Sequence, residues 1–146
     1  VKPGHGDARV ARVVAMFESI TPADVQRLPD FYAADARFKD PFNDVQGVAA
    51  IQRVFAHMFV ALDEPRFLVR DIVAEGDQCF LTWDFRFRMK RLTREPQLIH
   101  GGSHLRFDTQ GRIALHRDYW DAAEELYEKL PALGVLMRWL RRRAAA

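Results

Sequence analysis

The stretch "YAADARFKDPFNDVQGVAAIQRVF", residues 32–55, changes character twice, and its reading decides the fold. Asp40 precedes Pro41, and a proline ring pushes the residue before it toward extended geometry, so "ARFKDPF" reads as a brief strand running into a turn. Beyond Gly47 the pattern turns helical: across 47–62 Ile51, Val54, Phe55, Met58, Phe59 and Leu62 fall on one stripe.

Upstream, "DARVARVVAMFES" (7–19) carries Val10, Val13, Val14 and Phe17 at helical spacing. "TPAD" then supplies Thr21 as a cap, Pro22 at the first helical position and Asp24 near the positive end of the dipole, for a short second helix interrupted near Pro29. Downstream of Pro65 alternation takes over. "RFLVRDIVA", "QCFLTWDFRFRMKR", "QLIHGGSHLRF" and "RIALHRDYW" read as strands separated by "EGD", "LTREP" and "DTQG". In the second of them Leu81, Trp83, Phe85, Phe87 and Met89 alternate with Thr82, Asp84, Arg86, Arg88 and Lys90, which gives one apolar and one charged face. Three helices set apart from four mostly antiparallel strands predict an α+β domain, its helical stripe closing over the apolar face.

The chain's 146 residues, 49% hydrophobic, suit one core and one domain over 1–146, with 122–146 as a helical tail. A net charge of +2 is too mild to make nucleic acid the expected partner. "VKPGHGDARV" lacks the apolar core of a signal peptide and no apolar run is long enough to span a bilayer, so a cytoplasmic protein is expected. The single cysteine, Cys79, sits in a strand-like apolar stretch and reads as core.

The chemistry concentrates in "HRDYWD", 116–121. A four-residue hairpin loop at "DTQG" sets Phe107 opposite Arg112, hence Ser103 opposite His116, Gly101 opposite Asp118 and Ile99 opposite Trp120. Opposed residues share a face, so Ser103, His116, Asp118 and Trp120 line up together. A bulge at Gly101–Gly102 would break that pairing, and the periodicity of Ile113, Leu115 and Tyr119 favours the opposite face. His116 and Asp118 read either as a proton-handling pair or as a satisfied ion pair. Asp40 reads either as a base or as a turn cap. Asp121, with Glu124 three residues on, reads as a helix N-cap and is left out of the site. His100 and His104 lie about 13 Å apart along a strand, too far to share an ion, so no metal is expected. No HExxH, paired CxxC, phosphate-binding loop or nucleophile elbow occurs, and no cofactor is expected.

After Trp120 the chain turns helical, with Leu126, Tyr127 and Leu130 on one stripe, and Pro131 restarts a helix through "ALGVLMRWLRRR". That apolar face reads first as packing on its own domain or on a partner subunit. Lidding of the pocket, or contact with an anionic membrane surface through Arg138, Arg141, Arg142 and Arg143, are the lesser readings.

The succession of two helices, residues 32–55 and a run of antiparallel strands resembles the ketosteroid isomerase and SnoaL-like branch of the NTF2-like superfamily, over nearly the whole chain. The resemblance implies a cone of curved sheet and three helices around an apolar pocket, here with a C-terminal helical extension, and a homodimer. It puts Asp40 on the family's catalytic aspartate, and it turns His116, Asp118 and Trp120 inward. It departs at the family's two oxyanion donors, which fall here at Val13 and Ser103. The activity implied is cofactor-independent isomerisation, elimination or cyclisation of a hydrophobic steroid- or polyketide-like molecule. Asp40, His116 and Asp118 would be its acid–base groups, and Phe55, Phe59, Trp83, Phe85, Ser103 and Trp120 would contact the substrate. The family also contains pockets that bind without chemistry and domains kept for association, which is the second reading.

Overall fold

Asp7 begins the first helix by accepting the Arg9 N–H at 2.9 Å, the bond an N-cap makes with one of the unpaired amides of a first turn. In the computed structural model, which describes residues 6–91, 93–125 and 131–145, this helix is α1, Ala8–Ser19. A 3₁₀ helix, Pro22–Asp30, follows, opened by Thr21, whose N–H and hydroxyl both donate to the Asp24 carboxylate. Then come β1 (Tyr32–Lys39), β2 (Asp44–Gln46), α2 (Val48–Ala61), β3 (Leu62–Glu75), β4 (Gln78–Met89), β5 (Pro96–Phe107), β6 (Ile113–Tyr119), α3 (Ala122–Glu125) and α4 (Pro131–Ala144). The strand expected around "ARFKDPF" begins earlier, at Tyr32, and β2 was not expected at all.

One six-stranded sheet runs in the order β2-β1-β6-β5-β4-β3. Its neighbours pair antiparallel except β1 and β6, which run parallel. The helices cover one face, where Val10, Val13 and Phe17 of α1 and Ile51 and Phe55 of α2 are buried against Leu81, Trp83, Phe87, Ile99 and Leu105. Cys79 belongs to this core, and burial holds its thiol up at about 11. On the other face Asp84 is nonetheless 7% exposed. Burial alone would raise its pKa, but hydrogen bonds from Arg70 and His100 outweigh it and keep the carboxyl below its ordinary value.

The β5–β6 register differs from the expected one. The connection has five residues rather than four: Phe107 pairs with Ile113, and the Asp108 N–H donates to the Arg112 carbonyl. A bulge then lies between this pair and Arg106–Leu115, so Ser103 faces Asp118 and Leu105 faces His116. The glycine pair Gly101–Gly102 is not where the ladder slips. Relative to the expected pairing the strand has moved by two residues, an even number that returns every side chain to its expected face. The bulge also answers the conflicting periodicity, because it lets Ile113 and His116, three positions apart, both be buried.

Gly101 carries a packing constraint. Its partner across the ladder is Trp83, and a Cβ built on Gly101 would lie 2.5 Å from the indole. The ring therefore occupies the space a side chain on Gly101 would take.

At the C-terminus, the stripe through Leu126, Tyr127 and Leu130 lies outside the described residues. The expectation for α4 is packing on its own domain or on a partner subunit; within the single chain Leu133, Val135, Leu136, Trp139 and Leu140 are exposed. Arg141 reaches Glu124 at 3.5 Å. No helix among the described residues is long and apolar enough to cross a membrane.

Two stability measurements test this account. Gly101→Ala should destabilise by about 1–3 kcal/mol in denaturant unfolding, because the buried indole has no room to yield, while Gly6→Ala, with open space around it, should be near neutral. Hydrogen bonds from Arg9 hold the Asp7 carboxyl down at about 2, against the ordinary 3.8. Its contribution is thus complete above the unfolded value and lost as pH falls through about 2. Asp7→Ala should cost about 1 kcal/mol at pH 7, and the gap between variant and parent should close between pH 4 and pH 2.

Candidate functional site

Between α2 and the covered face of the sheet lies a cavity of about 300 Å³. Alternation along each strand supplies its walls: Phe67 and Val69 from β3, Trp83, Phe85 and Phe87 from β4, and Ile99 and Ser103 from β5. Helix α2 closes it with Val54, Phe55 and Met58, and Phe42 and Trp120 meet edge to face at 5.5 Å on its rim.

His116 and Asp118 project into this space from β6, two residues apart and so on one face. His116 is 3% exposed, its ring 4.8 Å from that of Phe38, the residue it pairs with across the parallel β1–β6 ladder. Both ring nitrogens are engaged: Nε2 lies 2.7 Å from Asp118 Oδ1, and Nδ1 lies 2.7 Å from the Tyr32 hydroxyl. Ser103 donates its hydroxyl to the same Asp118 Oδ1 at 2.5 Å and accepts the Trp83 indole N–H at 2.8 Å. Five side chains from β1, β4, β5 and β6 thus form one hydrogen-bonded line.

The proton positions along that line follow from satisfaction. Tyr32 is wholly buried, and burial, then the Asp118 charge, push its pKa well up, so it keeps its proton. The only acceptor facing that proton among the described residues is His116 Nδ1. Donation there leaves the ring neutral with hydrogen on Nε2, which donates to Asp118. Protonating both nitrogens would leave the Tyr32 O–H unpaired in the core, a cost of about 1–3 kcal/mol. Asp118 is therefore held by two donors at Oδ1. Its Oδ2 has no hydrogen-bond partner among the described residues and is not an enclosed atom, so it is open to the cavity that Asp118 lines.

Asp40 lines the cavity as well, but in a different setting. Its Oδ1 accepts the Phe42 and Asn43 N–H groups at 2.8 and 2.7 Å, and the Asn43 side-chain amide reaches both of its oxygens. This is the side-chain turn that an aspartate before proline builds. Asp121 caps α3 by accepting the Ala123 and Glu124 N–H groups. His100 and His104 turn to the outer face, against Asp84 and Gln78.

Of the residues expected to contact a ligand, Phe55, Trp83, Phe85, Ser103 and Trp120 line the cavity. Phe59 does not; at its place on α2 it packs against the core instead. Tyr32 was missed by the sequence reading. Its signal was available in the even spacing from Phe38, which puts both on one face of a strand longer than the one expected.

The profile of the SnoaL-like domain matches residues 13–116. No curated protein sequence matches. Among solved structures, a hypothetical protein with a ketosteroid isomerase-like fold from Catenulispora acidiphila DSM 44928, in complex with trimethylamine, is 18% identical with a TM-score of 0.72, over 88% of this chain and 97% of that one. A candidate SnoaL-like polyketide cyclase from Jannaschia sp. CCS1 is 13% identical with a TM-score of 0.71, over 83% and 94%. An LEH-like epoxide hydrolase from M. tuberculosis is 16% identical with a TM-score of 0.68, over 94% and 95%. At such identities the likeness speaks for the fold: the NTF2-like cone.

Tyr32→Phe tests the proton order. It should destabilise by about 1–3 kcal/mol, since Nδ1 is left unpaired, and long-range ¹H–¹⁵N spectra of the His116 ring should change from a single Nε2–H tautomer to a mixture. An unchanged tautomer would mean that Asp118 alone sets it.

Proposed function

The chain belongs to the SnoaL-like domain family, and from that premise we propose that its cavity performs acid–base chemistry on a hydrophobic cyclic or polyketide-like carbonyl compound: an isomerisation, elimination or ring closure. The observation that carries the reading is the anchored carboxylate of Asp118, with one oxygen held by Ser103 and His116 and the other open to an apolar space. A base so held is aimed before substrate arrives and needs no reorganisation.

Asp118 Oδ2 takes a proton from the carbon beside the carbonyl; it returns it to another carbon of the same molecule in an isomerisation, to the departing group in an elimination, or to the new alkoxide oxygen in a ring closure. As the carboxyl becomes neutral, the bonds from Ser103 and His116 shift with it, and the ring of His116, steadied by Tyr32, carries the change without turning. Asp40 has three hydrogen bonds on Oδ1 and serves the Asp-Pro turn at the rim; its part is to shape the entrance. By the family resemblance, Val13 and Ser103 take the places of the family's oxyanion donors. The substrate must therefore bring a carbon acidic enough to lose its proton without strong help at oxygen, as the carbon between two carbonyls is.

The test is exchange in deuterated buffer, followed by proton NMR, of a cyclic β-keto ester and an isolated cyclic ketone. The β-keto ester should lose its α-proton faster than in buffer alone. Asp118→Asn should cut the enzymatic rate by about 10²–10⁴-fold, whereas Asp40→Asn, if it folds, should cost about tenfold or less. Binding of both compounds with no exchange above background would sink the catalytic reading and leave a pocket that only binds.

A further inference from the structure

We propose that the natural ligand of this cavity carries a positive charge: a hydrophobic ring compound bearing a protonated amine. The inference deepens the proposed function by naming the substrate class, and rests on it for the cavity being the ligand site.

The walls hold seven Phe and two Trp, so a ligand meets many aromatic rings. Phe67 and Phe85, for example, stack at 4.3 Å as one such surface. Aromatic faces attract cations through the ring quadrupole, which aliphatic walls of equal area do not. The ionisable side chains lining the space are Asp40, Asp118, His57 and His116, and among the described lining residues none is Lys or Arg. Arg53 lines a separate groove alongside Asn43 and His57.

The hydrogen-bond order sharpens the point. With the Tyr32 hydroxyl donating to Nδ1, His116 offers Asp118 a hydrogen bond but no compensating charge. The carboxylate, 15% exposed, therefore faces an apolar space with its charge unmatched from within the site. A ligand ammonium seated over the aromatic walls supplies the match through space, without a hydrogen bond to Oδ2, which stays free as the base. An anionic ligand would meet two carboxylates and no cation.

A positive charge on the substrate also answers the missing oxyanion donors. If the protein does not stabilise the electron pair left when a carbon loses its proton, a cationic nitrogen in the substrate can do so. The same positive charge that orients the molecule toward Asp118 then lowers, by its field, the pKa of the neighbouring C–H whose proton Oδ2 takes.

Three compounds with one shape and different charge decide the matter: 1-adamantanamine, 1-adamantanol and adamantane-1-carboxylate, titrated calorimetrically into the full chain at pH 7. The amine should bind about tenfold more tightly than the alcohol, with the carboxylate weakest. Phe85→Leu should weaken the amine more than the alcohol, and Asp118→Asn should narrow the gap between them. Equal affinities for amine and alcohol, or a preference for the carboxylate, would overturn the proposal whatever the variants do. If none of the three binds while the β-keto ester still exchanges, the ligand class is wrong and the proposed chemistry stands; loss of both overturns both.

Discussion

A β-strand presents its side chains to alternate faces, yet β6 has to bury Ile113 in the core and His116 in the cavity, three positions apart. Regular pairing allows one or the other. The bulge between the Phe107–Ile113 and Arg106–Leu115 pairs resolves the conflict by spending one residue, Ala114, outside the ladder. Everything functional in the site follows from that: with His116 inward, Asp118 is inward too, Ser103 meets it from β5, and Phe38 and Tyr32 meet the imidazole from β1. β-Bulges are often found beside functional sites because they re-aim a side chain without disturbing the sheet around it.

The two cavity carboxylates illustrate how neighbours divide labour between chemically equal groups. Asp40 is surrounded by backbone and amide donors and completes a turn; Asp118 keeps one oxygen engaged and the other open. A buried polar chain is favourable only when each member is satisfied, and the run from Trp83 to Tyr32 meets that condition with a single assignment of protons. The packing around it serves the same end. Gly101 lets the Trp83 indole lie across β5, and from there its N–H reaches Ser103.

How much of this was legible in the sequence depended on range. The helices of residues 8–19 and 48–61 and the four long strands announce themselves through period, since one amphipathic face is a local property. The Asp-Pro turn is equally local. The inward placement of Ser103, His116 and Asp118 was readable, although its expected pairing was not, because a five-residue loop and a bulge each displace the ladder by one and together leave the faces unchanged. The even spacing from Phe38 offered a face for Tyr32, but its partner escaped, because Tyr32 meets His116, 84 positions on, only through the parallel pairing of β1 and β6. Phe59 was misplaced for the opposite reason: its helical stripe is wide, and only the curvature of the sheet decides which part of it faces the cavity.

β3 closes one side of the sheet, fourteen residues long and paired only to β4. Such a strand leaves a row of amides and carbonyls facing outward, a template on which a foreign strand could add. The ladder of β3 is broken between Asp63 and Arg66 and again between Val69 and Asp71. Glu64 at the first break adopts a left-handed backbone (φ 51°), and Pro65 beside it has no amide hydrogen to offer. The irregularities spoil the straight run that edge-to-edge growth requires, so the strand that helps wall the cavity also guards the protein against its own aggregation.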